Sequence, residues 1–295
     1  MKRRVIDRIQ DRAWREVGRM LVIKPAIQKA EAASLADSSS ISANMPWAEI
    51  CKAYSHGHLD SRHFRRTSAV RDIVETVGPV DGRFYAKRIF EWEPGFLSHP
   101  QVAQIDAWGN PIRWPGCLLG TPSSFSPTTL RYLATALWLR RQNYITRGSE
   151  VVEIGVGFGG LAAMNALVAS AATILVDLPQ VEQAAMRMMH ENDLAKHCRP
   201  SAERADIPAP LVVSNYAFTE LNSAIQKIYF DRYLKNAEHA VIISNSAIFA
   251  DRIRGRSDED LVKWFRSEGL PAKLETTNEL LAPGDALCRV SMIHW

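Results

Sequence analysis

The fold of this 295-residue chain is decided at residues 151–162, which read Val-Val-Glu-Ile-Gly-Val-Gly-Phe-Gly-Gly-Leu-Ala. Val151 to Ile154 have the length and apolar character of a buried parallel strand, and the apolar residues from Leu161 onward recur at helical spacing. The glycines therefore lie at a strand-to-helix turn, where glycine permits a tight turn and a close approach of the backbone to a ligand. Such a turn directs free backbone N–H groups and a helix N-terminus at a bound molecule.

This glycine-rich turn fits two classes of cofactor. Read from Gly155, it matches the dinucleotide pattern G-x-G-x-x-G, and Asp177 lies 20 residues beyond Gly157, where a ribose-binding acid is expected. Read from Glu153, the same residues form Glu-x-Gly-x-Gly-x-Gly, which resembles motif I of the class I S-adenosylmethionine-dependent methyltransferases. The turn alone leaves both cofactors open.

Further apolar runs extend the predicted sheet. Residues 173–177 form a second strand that ends in Asp177, whose carboxylate can accept hydrogen bonds from both ribose hydroxyls. Residues 211–214 and 240–244 form two more strands, followed by Asn215 and Asn245. Ligands of open α/β sheets bind outside the carboxyl ends of the strands, so these polar residues are candidates for the site.

The C-terminal segment discriminates between the two cofactors. Residues 274–281 and 287–295 are strand-like and flank the turn-forming residues 282–286, and two strands joined so briefly must be antiparallel. A doubly wound α/β sheet, mostly parallel with a C-terminal antiparallel hairpin, is the methyltransferase arrangement, whereas an all-parallel sheet would suit a nicotinamide cofactor. The third strand of such a sheet is expected within residues 194–211, where the proline-rich sequence gives no clear strand.

Four segments together resemble the sugar O-methyltransferase family of bacterial saccharide gene clusters, over roughly residues 108–295. They are Glu153-Ile-Gly-Val-Gly-Phe-Gly-Gly160, Leu175-Val-Asp-Leu-Pro-Gln-Val181, Ser214-Asn-Tyr-Ala-Phe-Thr-Glu-Leu221 and Ser126-Pro-Thr-Thr-Leu-Arg-Tyr-Leu133. The resemblance implies that the glycine-rich turn lines the methionine part of S-adenosylmethionine and that Asp177 holds its ribose. Asp206 is the nearest candidate for an adenine-contacting acid. The residues predicted to bind the cofactor are Glu153, Gly155, Gly157, Gly159, Asp177, Leu178, Ser214 and Asn215.

Methyl transfer to a sugar hydroxyl requires a group that accepts the hydroxyl proton. Glu220 is the first candidate because it follows the strand that ends in the cleft, although a glutamate in a first helical turn is also favoured by the helix dipole. Tyr216 is the second catalytic candidate, with orientation of the acceptor as its more favoured role. His190 and His239 are predicted at the opposite edge of the sheet. No metal is expected, since residues 214–216 provide no carboxylate ligands.

The acceptor is expected to bind among aromatic residues that precede the sheet. Residues 81–127 are rich in Gly, Pro and Trp, a composition typical of turns and of aromatic platforms for saccharides. Packing of an irregular cap onto the main domain explains the same composition equally well. Arg131 lies on a helix that begins at Ser126-Pro127. Its favoured interpretation is a surface residue, and the alternative is a residue that binds an acidic sugar or a phosphate. The residues predicted to bind the acceptor are Trp108, Asn110, Arg131 and Asn245.

The basic charge of the chain is concentrated at its start. Residues 1–90 hold 17 Lys or Arg against 10 Asp or Glu, and residues 1–32 are predicted to form a basic amphipathic helix. Such a helix can lie peripherally on the inner face of a membrane or bind a phosphate-bearing partner, but docking onto its own domain or onto the second copy of a homodimer is the favoured alternative. Nucleic acid is disfavoured, because the aromatic residues are not clustered with the basic ones.

Four segments are predicted along the chain: the basic helix at 1–32, a linker at 33–45, a helical or irregular cap with the acceptor site at 46–125, and a cofactor-binding domain at 126–295. The four dispersed cysteines favour a reducing cytoplasm. The sequence thus predicts an S-adenosylmethionine-dependent O-methyltransferase acting on a sugar hydroxyl of a polysaccharide, a lipid-linked oligosaccharide or another glycoconjugate precursor. The alternatives are an NAD(P)-dependent oxidoreductase and a non-catalytic saccharide-binding protein that retains the fold.

Overall fold

A computed structural model describes residues 2–21, 40, 42, 46–114, 124–203, 209–282 and 290–295, with the side chains of residues 2–8 and 11 left undescribed. Within these ranges seven strands form one sheet in the order β3-β2-β1-β4-β5-β7-β6. The strands are β1 Glu150–Ile154, β2 Ala172–Val176, β3 Cys198–Pro200, β4 Leu211–Asn215, β5 His239–Ser244, β6 Lys273–Glu275 and β7 Ser291–His294. The candidate adenine-contacting residue Asp206 and most of the predicted linker lie outside the described residues.

The sheet is parallel except at its C-terminal end. Strands β3, β2, β1, β4 and β5 run parallel, whereas β7 is antiparallel to both β5 and β6. This is the Rossmann-like sheet, mostly parallel with an antiparallel C-terminal pair of strands, that the sequence predicts, so the predicted fold class is confirmed.

Register brings the carboxyl ends of the central strands level with one another. Ile154 of β1 pairs with Val176 of β2 and with Ser214 of β4, and Asn215 pairs with Ile243 of β5. The residues that follow these strands therefore meet at one edge of the sheet.

Helices cover both faces of this sheet, and six of them precede its first strand in the chain. They are α1 Lys2–Met20, α2 Trp47–Ser55, α3 Ser68–Ile73, α4 Pro79–Trp92, α5 Pro100–Ala107, α6 Pro127–Arg141, α7 Gly160–Ala169, α8 Pro179–Glu191, α9 Ser223–Tyr229, α10 Ser246–Ile253 and α11 Asp258–Ser267. Helix α6 packs against α4 and α7, and nearly every one of its side chains is buried. The N-terminal helices are therefore joined to the sheet through α6.

The core lies on both faces of the sheet, because successive side chains of a strand point to opposite faces. Val151 and Val213 belong to the cluster that contains α6, α7 and the N-terminal helices. Val152 and Val212 belong to the second cluster, with Phe230 and α11. The first cluster runs without a break from Trp47 to Met292 and so spans the predicted boundary at residue 126.

The structure corrects three elements of the sequence-based prediction. The third strand does exist as β3, but it has only three residues at the end of the parallel part of the sheet, too few for a periodic pattern. Strands β6 and β7 are shorter than predicted. The region from 81 onward contains the helices α4 and α5 rather than irregular chain, and each has a proline in its first turn, a position where proline is well tolerated.

Helix α1 ends at Met20 and is docked onto the rest of the chain. Trp14 is buried, with its ring centroid 6.0 Å from that of Trp114 and with the Arg71 guanidinium 5.7 Å from its ring. Ile9 and Met20, by contrast, are exposed. None of the helices in the described ranges combines the length and apolar character that crossing a bilayer requires.

Candidate functional site

The candidate site is a cavity of about 500 Å³ at the carboxyl edge of the parallel strands. Small-molecule sites in proteins usually measure roughly 300–1,000 Å³. Its wall combines the sheet edge with residues of α3, α4 and α6. The predicted site residues that line it are Gly155, Gly157, Asp177, Leu178, Asn215, Tyr216, Glu220, Arg131 and Asn245.

The glycine turn forms the floor of this cavity. Gly155 and Gly157 have φ values of 80° and 56°, which L-residues rarely adopt. A Cβ atom on Gly155 would overlap the side chain of Ala217, which follows β4. Glycine is therefore required at position 155 both by the backbone conformation and by the close approach of the two turns.

Asp177 lies at the end of β2, beside the same turn. Its Oδ1 accepts a hydrogen bond of 2.8 Å from the backbone N–H of Leu178. Burial raises the pKa of Asp177 to about 7, although backbone donors of Leu178, Val156 and Gly157 act in the opposite direction. The carboxyl group is thus held against the glycine turn and retains acceptor capacity toward the cavity.

Glu220 and Asn245 form a hydrogen-bonded pair on the other side of the cavity. The side-chain amide of Asn245 donates to Glu220 Oε1 over 2.7 Å, and Asn245 Oδ1 accepts from Thr219 Oγ1 over 2.9 Å. Burial raises the pKa of Glu220, while the Asn245 hydrogen bond and the charge of Arg131 oppose that rise. Glu220 is therefore an oriented carboxyl group that accepts a proton more readily than an ordinary glutamate.

Tyr216 occupies a strained backbone position between β4 and Glu220. Its φ is 77° and its ψ is −39°, and its N–H donates to the carbonyl of Ile243 over 2.8 Å. Non-glycine residues in such conformations cost about 1–3 kcal/mol and cluster at functional sites. The turn places the Tyr216 ring in the cavity wall, 5.0 Å from the guanidinium carbon of Arg131.

Arg131 is a wall residue of this cavity rather than the surface residue that the sequence favours. It is only 5% exposed, and its guanidinium carbon lies 5.2 Å from the ring centroid of Tyr132 as well as 5.0 Å from that of Tyr216. Its Nε has no hydrogen-bond partner. Among the described residues no carboxylate lies within 4.0 Å of its guanidinium.

Asn215 is a second lining residue with free hydrogen-bonding capacity. Neither its amide nitrogen nor its amide oxygen has a partner in the part of the chain that the structure describes. Buried polar atoms are normally paired, so unpaired atoms in a cavity wall point to a ligand.

Three of the predicted cofactor-binding residues lie behind the cavity wall. Glu153 is 1% exposed, and burial raises its pKa, with the nearby charge of Asp177 adding to the effect. Ser214 is buried and satisfied, because its hydroxyl donates to the carbonyl of Ile154 over 3.0 Å and accepts from Phe218 N–H over 3.0 Å. Gly159 faces Met188 and not the cavity. None of these three residues is among those that line the cavity.

Trp108 and Asn110 do not line this cavity. The Trp108 ring packs 5.4 Å from Phe64 and 5.6 Å from Phe158, and its Nε1 donates to Glu191 over 2.8 Å. The carbonyl of Asn110 accepts from Arg66 Nε over 2.7 Å. Both residues border a separate surface depression, so packing and not an acceptor platform explains their positions.

Two aromatic side chains that the sequence does not predict as site residues close the cavity from the side of the N-terminal helices. Tyr85 of α4 and Tyr132 of α6 both line it. A Cβ atom on Gly160 would lie 2.5 Å from the Tyr132 ring, so this ring covers the first turn of α7. No local pattern marks either residue, because their places in the wall depend on how α4, α6 and α7 pack together.

The two histidines considered as bases lie away from the cavity. His190 is exposed in the last turn of α8, and His239 begins β5, at the amino edge of the sheet. Within the described ranges no three side chains of His, Cys, Asp or Glu come together in a way that could hold a metal ion.

Comparison with known proteins finds solved structures with a similar fold but no family to which the chain can be assigned. No family model and no curated protein matches the chain. The METTL16 methyltransferase domain is 12% identical, with a TM-score of 0.43 over 58% of this chain and 84% of that one. Human methyltransferase 10 domain containing protein is also 12% identical, with a TM-score of 0.40 over 57% of this chain and 81% of its own. The O-methyltransferase of neocarzinostatin biosynthesis is 13% identical, with a TM-score of 0.36 over 57% of each chain.

Proposed function

We propose that this protein is an S-adenosylmethionine-dependent O-methyltransferase that acts on a sugar hydroxyl of a bacterial polysaccharide, a lipid-linked oligosaccharide or another glycoconjugate precursor. One observation carries the proposed reaction: the glycine turn, Asp177 and the Glu220–Asn245 pair open into a single cavity on a methyltransferase-type sheet. The choice of a sugar acceptor rests on the resemblance of the four sequence segments.

The residues of the cavity fit the proposed cofactor. Gly155 and Gly157 allow a ligand to approach the backbone closely, and the Asp177 carboxyl group can accept hydrogen bonds from ribose hydroxyls. When bound, S-adenosylmethionine supplies an electrophilic methyl group.

The covered first turn of α7 argues against the nicotinamide alternative. Dinucleotides place their pyrophosphate at the helix N-terminus that follows the glycine turn. The Tyr132 ring occupies the space next to Gly160 in that turn. An S-adenosylmethionine molecule has no phosphate and does not need this position.

Glu220 is the proposed proton acceptor of the reaction. Its carboxylate can take the proton that the acceptor hydroxyl loses as the new C–O bond forms. The raised pKa moves Glu220 toward neutral pH, and the Asn245 hydrogen bond fixes its orientation. Tyr216, held in place by its backbone hydrogen bond to Ile243, would position the acceptor in line with the methyl group.

Calorimetric titration with S-adenosylhomocysteine tests the cofactor assignment. The wild-type protein is expected to bind it, and Asp177→Asn is expected to weaken binding by at least about tenfold, because loss of a charge-assisted hydrogen bond costs about 1.5–3 kcal/mol. Asp251→Asn, an exposed change of the same kind on α10, should bind as the wild type does. Binding of NAD without any binding of S-adenosylhomocysteine would overturn the assignment.

Transfer of labelled methyl groups from S-adenosylmethionine tests the acceptor class. With nucleotide sugars and glycolipids extracted from the protein's own cells, label should enter a saccharide. Glu220→Gln should lower the transfer rate by about 10²–10⁴-fold, the usual contribution of a general base. The exposed change Glu238→Gln serves as the matched control. Label in a protein or in a small phenol would contradict a sugar acceptor.

A further inference from the structure

Arg131 is a buried cation in the cavity wall with no acidic partner among the described residues. The guanidinium group stays charged at any physiological pH. A buried charge without a counter-charge is costly, and removing one partner of a buried ion pair typically costs about 3–5 kcal/mol. The rings of Tyr132 and Tyr216 offset part of this cost through cation–π contacts. The Nε still has no hydrogen-bond partner, so Arg131 keeps donor capacity for a ligand.

Asn215 adds a second free donor to the same part of the wall. It precedes Tyr216, whose ring contacts the Arg131 guanidinium. Asn215 lines the cavity, and its buried amide atoms have no hydrogen-bond partner within the described ranges. Arg131 and Asn215 therefore line one cavity, and a guanidinium and an amide both supply N–H donors of the kind that bind a carboxylate.

We propose that Arg131 and Asn215 bind a carboxylate group of the acceptor, so that the acceptor is an acidic sugar of the hexuronic acid type. The inference deepens the proposed function and rests on it. It replaces the sequence-based interpretation of Arg131 as a surface residue with a role in specificity.

The charges around the cavity favour a ligand group with one negative charge over a group with two. Arg131 is the sole cation among the described lining residues, which also include the acids Asp72, Asp81, Asp177 and Glu220. A phosphate monoester carries nearly two negative charges at neutral pH and would meet repulsion from these carboxyl groups. A carboxylate carries one charge, which a single guanidinium can balance.

The position of Arg131 places this subsite beside the proposed base. Arg131 and Glu220 both line the cavity, and the positive charge of Arg131 acts to lower the pKa of Glu220, against the larger effect of burial. Asp177, assigned to the cofactor ribose, ends β2, two strands away from the β4 end that carries Asn215. Neighbouring strands lie about 4.8 Å apart. An acidic sugar anchored at Arg131 would therefore present a hydroxyl to Glu220, and this two-point attachment would fix its orientation.

Binding of simple sugars tests the subsite directly. D-glucuronate and D-galacturonate are compared with D-glucose and D-galactose by saturation-transfer NMR, with and without S-adenosylhomocysteine. Wild-type protein is expected to bind each uronate at least about tenfold more tightly than its neutral counterpart, as one charge-assisted contact allows. Arg131→Met should abolish the preference, and Arg131→Lys should keep part of it because the charge remains.

Arg141→Met is the matched control, since Arg141 lies on the same helix, is exposed and contacts the Trp92 ring. It should retain the full preference for uronates.

Equal binding of uronates and neutral sugars by the wild type would overturn the proposal. So would a loss of S-adenosylhomocysteine affinity in Arg131→Met with the uronate preference intact, because Arg131 would then bind the amino-acid carboxylate of the cofactor. Failure of the wild type to bind S-adenosylhomocysteine would refute the proposed function. The NMR comparison of uronates with neutral sugars in the absence of S-adenosylhomocysteine would still decide whether the carboxylate subsite exists.

Discussion

Asp177 is proposed to bind the cofactor, and its raised pKa also makes the stability of the folded chain depend on pH. Its pKa is about 7 in the folded chain, against 3.8 for an ordinary aspartate, chiefly because of burial. Between these two values the folded state holds a proton that the unfolded state has lost, so stability falls as pH rises from about 4 to about 7. An uncharged side chain at this position removes that dependence.

We therefore expect Asp177→Asn to raise the melting temperature of the ligand-free protein at pH 8 and to change it much less at pH 5. Residues shaped for binding commonly reduce stability, and their removal restores it. Thermal unfolding followed by circular dichroism at both pH values checks the expectation, with Asp251→Asn as the control that should not depend on pH. A variant that melts below the wild type at pH 8 would show that the Asp177 charge stabilises the fold.

Where a predicted site residue directly follows a strand, the sequence places it correctly at the cavity edge. Gly155, Asp177 and Asn245 all lie at the cavity because the carboxyl ends of parallel strands share one edge of the sheet. It fails for Glu153 and Ser214, which are still inside their strands, so their side chains point at a packed face and not at the edge. Tyr85 escaped prediction for another reason, because its place in the wall depends on how a distant helix packs.

At the scale of elements, the contact between α4 and α6 decides how the N-terminal helices meet the sheet. Gly82 lies in α4 where that helix crosses the start of α6. A Cβ atom on Gly82 would lie 3.0 Å from the Cβ and 3.3 Å from the Cα of Pro127. The backbone of a proline at the start of a helix can move little, so the two helices would have to separate.

We expect Gly82→Ala to lower the free energy of unfolding by about 1–3 kcal/mol, the usual cost of overpacking a core contact. This sign is opposite to the helix-propensity effect, which favours alanine by up to about 1 kcal/mol. Urea denaturation measures the difference. Gly95→Ala is the control, because a Cβ atom there would meet nothing within 4 Å. It should be neutral or slightly stabilising, and equal behaviour of the two variants would exclude a tight α4–α6 crossing.

The same crossing explains which elements the sequence could predict. Helices α8 and α11 have clear start signals, with Pro179 in the first turn of one and Ser257 accepting from Asp260 N–H in the other. In α4, Gly82 interrupts the helical pattern because Pro127, 45 positions later in the chain, packs against it. A contact between residues so far apart cannot be predicted from the local sequence. The short strand β3 is likewise defined by its pairing with β2 and not by its own composition.

At the scale of the whole molecule, one arginine connects the N-terminal helices to the sheet. Arg65 is fully buried, and its Nε donates to Glu75 over 2.5 Å. Its Nη2 donates to the hydroxyls of Ser126 and Thr129, at the start of α6, over 3.0 and 3.2 Å. The guanidinium also lies 4.7 Å from the ring of Phe158, in the glycine turn. The predicted boundary at residue 126 therefore runs through a shared network, a property that composition along the chain does not reveal.

Because this network and the first core cluster cross that boundary, we expect the chain from α2 to β7 to unfold in a single cooperative transition. Arg65→Met should keep one transition and lower the free energy of unfolding by about 3–5 kcal/mol, since it leaves the buried carboxylate of Glu75 without its partner. Arg62→Met, three residues earlier, removes an exposed ion pair with Asp60 and should leave the free energy of unfolding unchanged within error. Differential scanning calorimetry together with urea denaturation distinguishes the two variants. Two separate transitions in the wild type, with Arg65→Met lowering only the first, would mean that the N-terminal helices are an independent domain and that the cavity wall formed by Tyr85 can detach from the sheet.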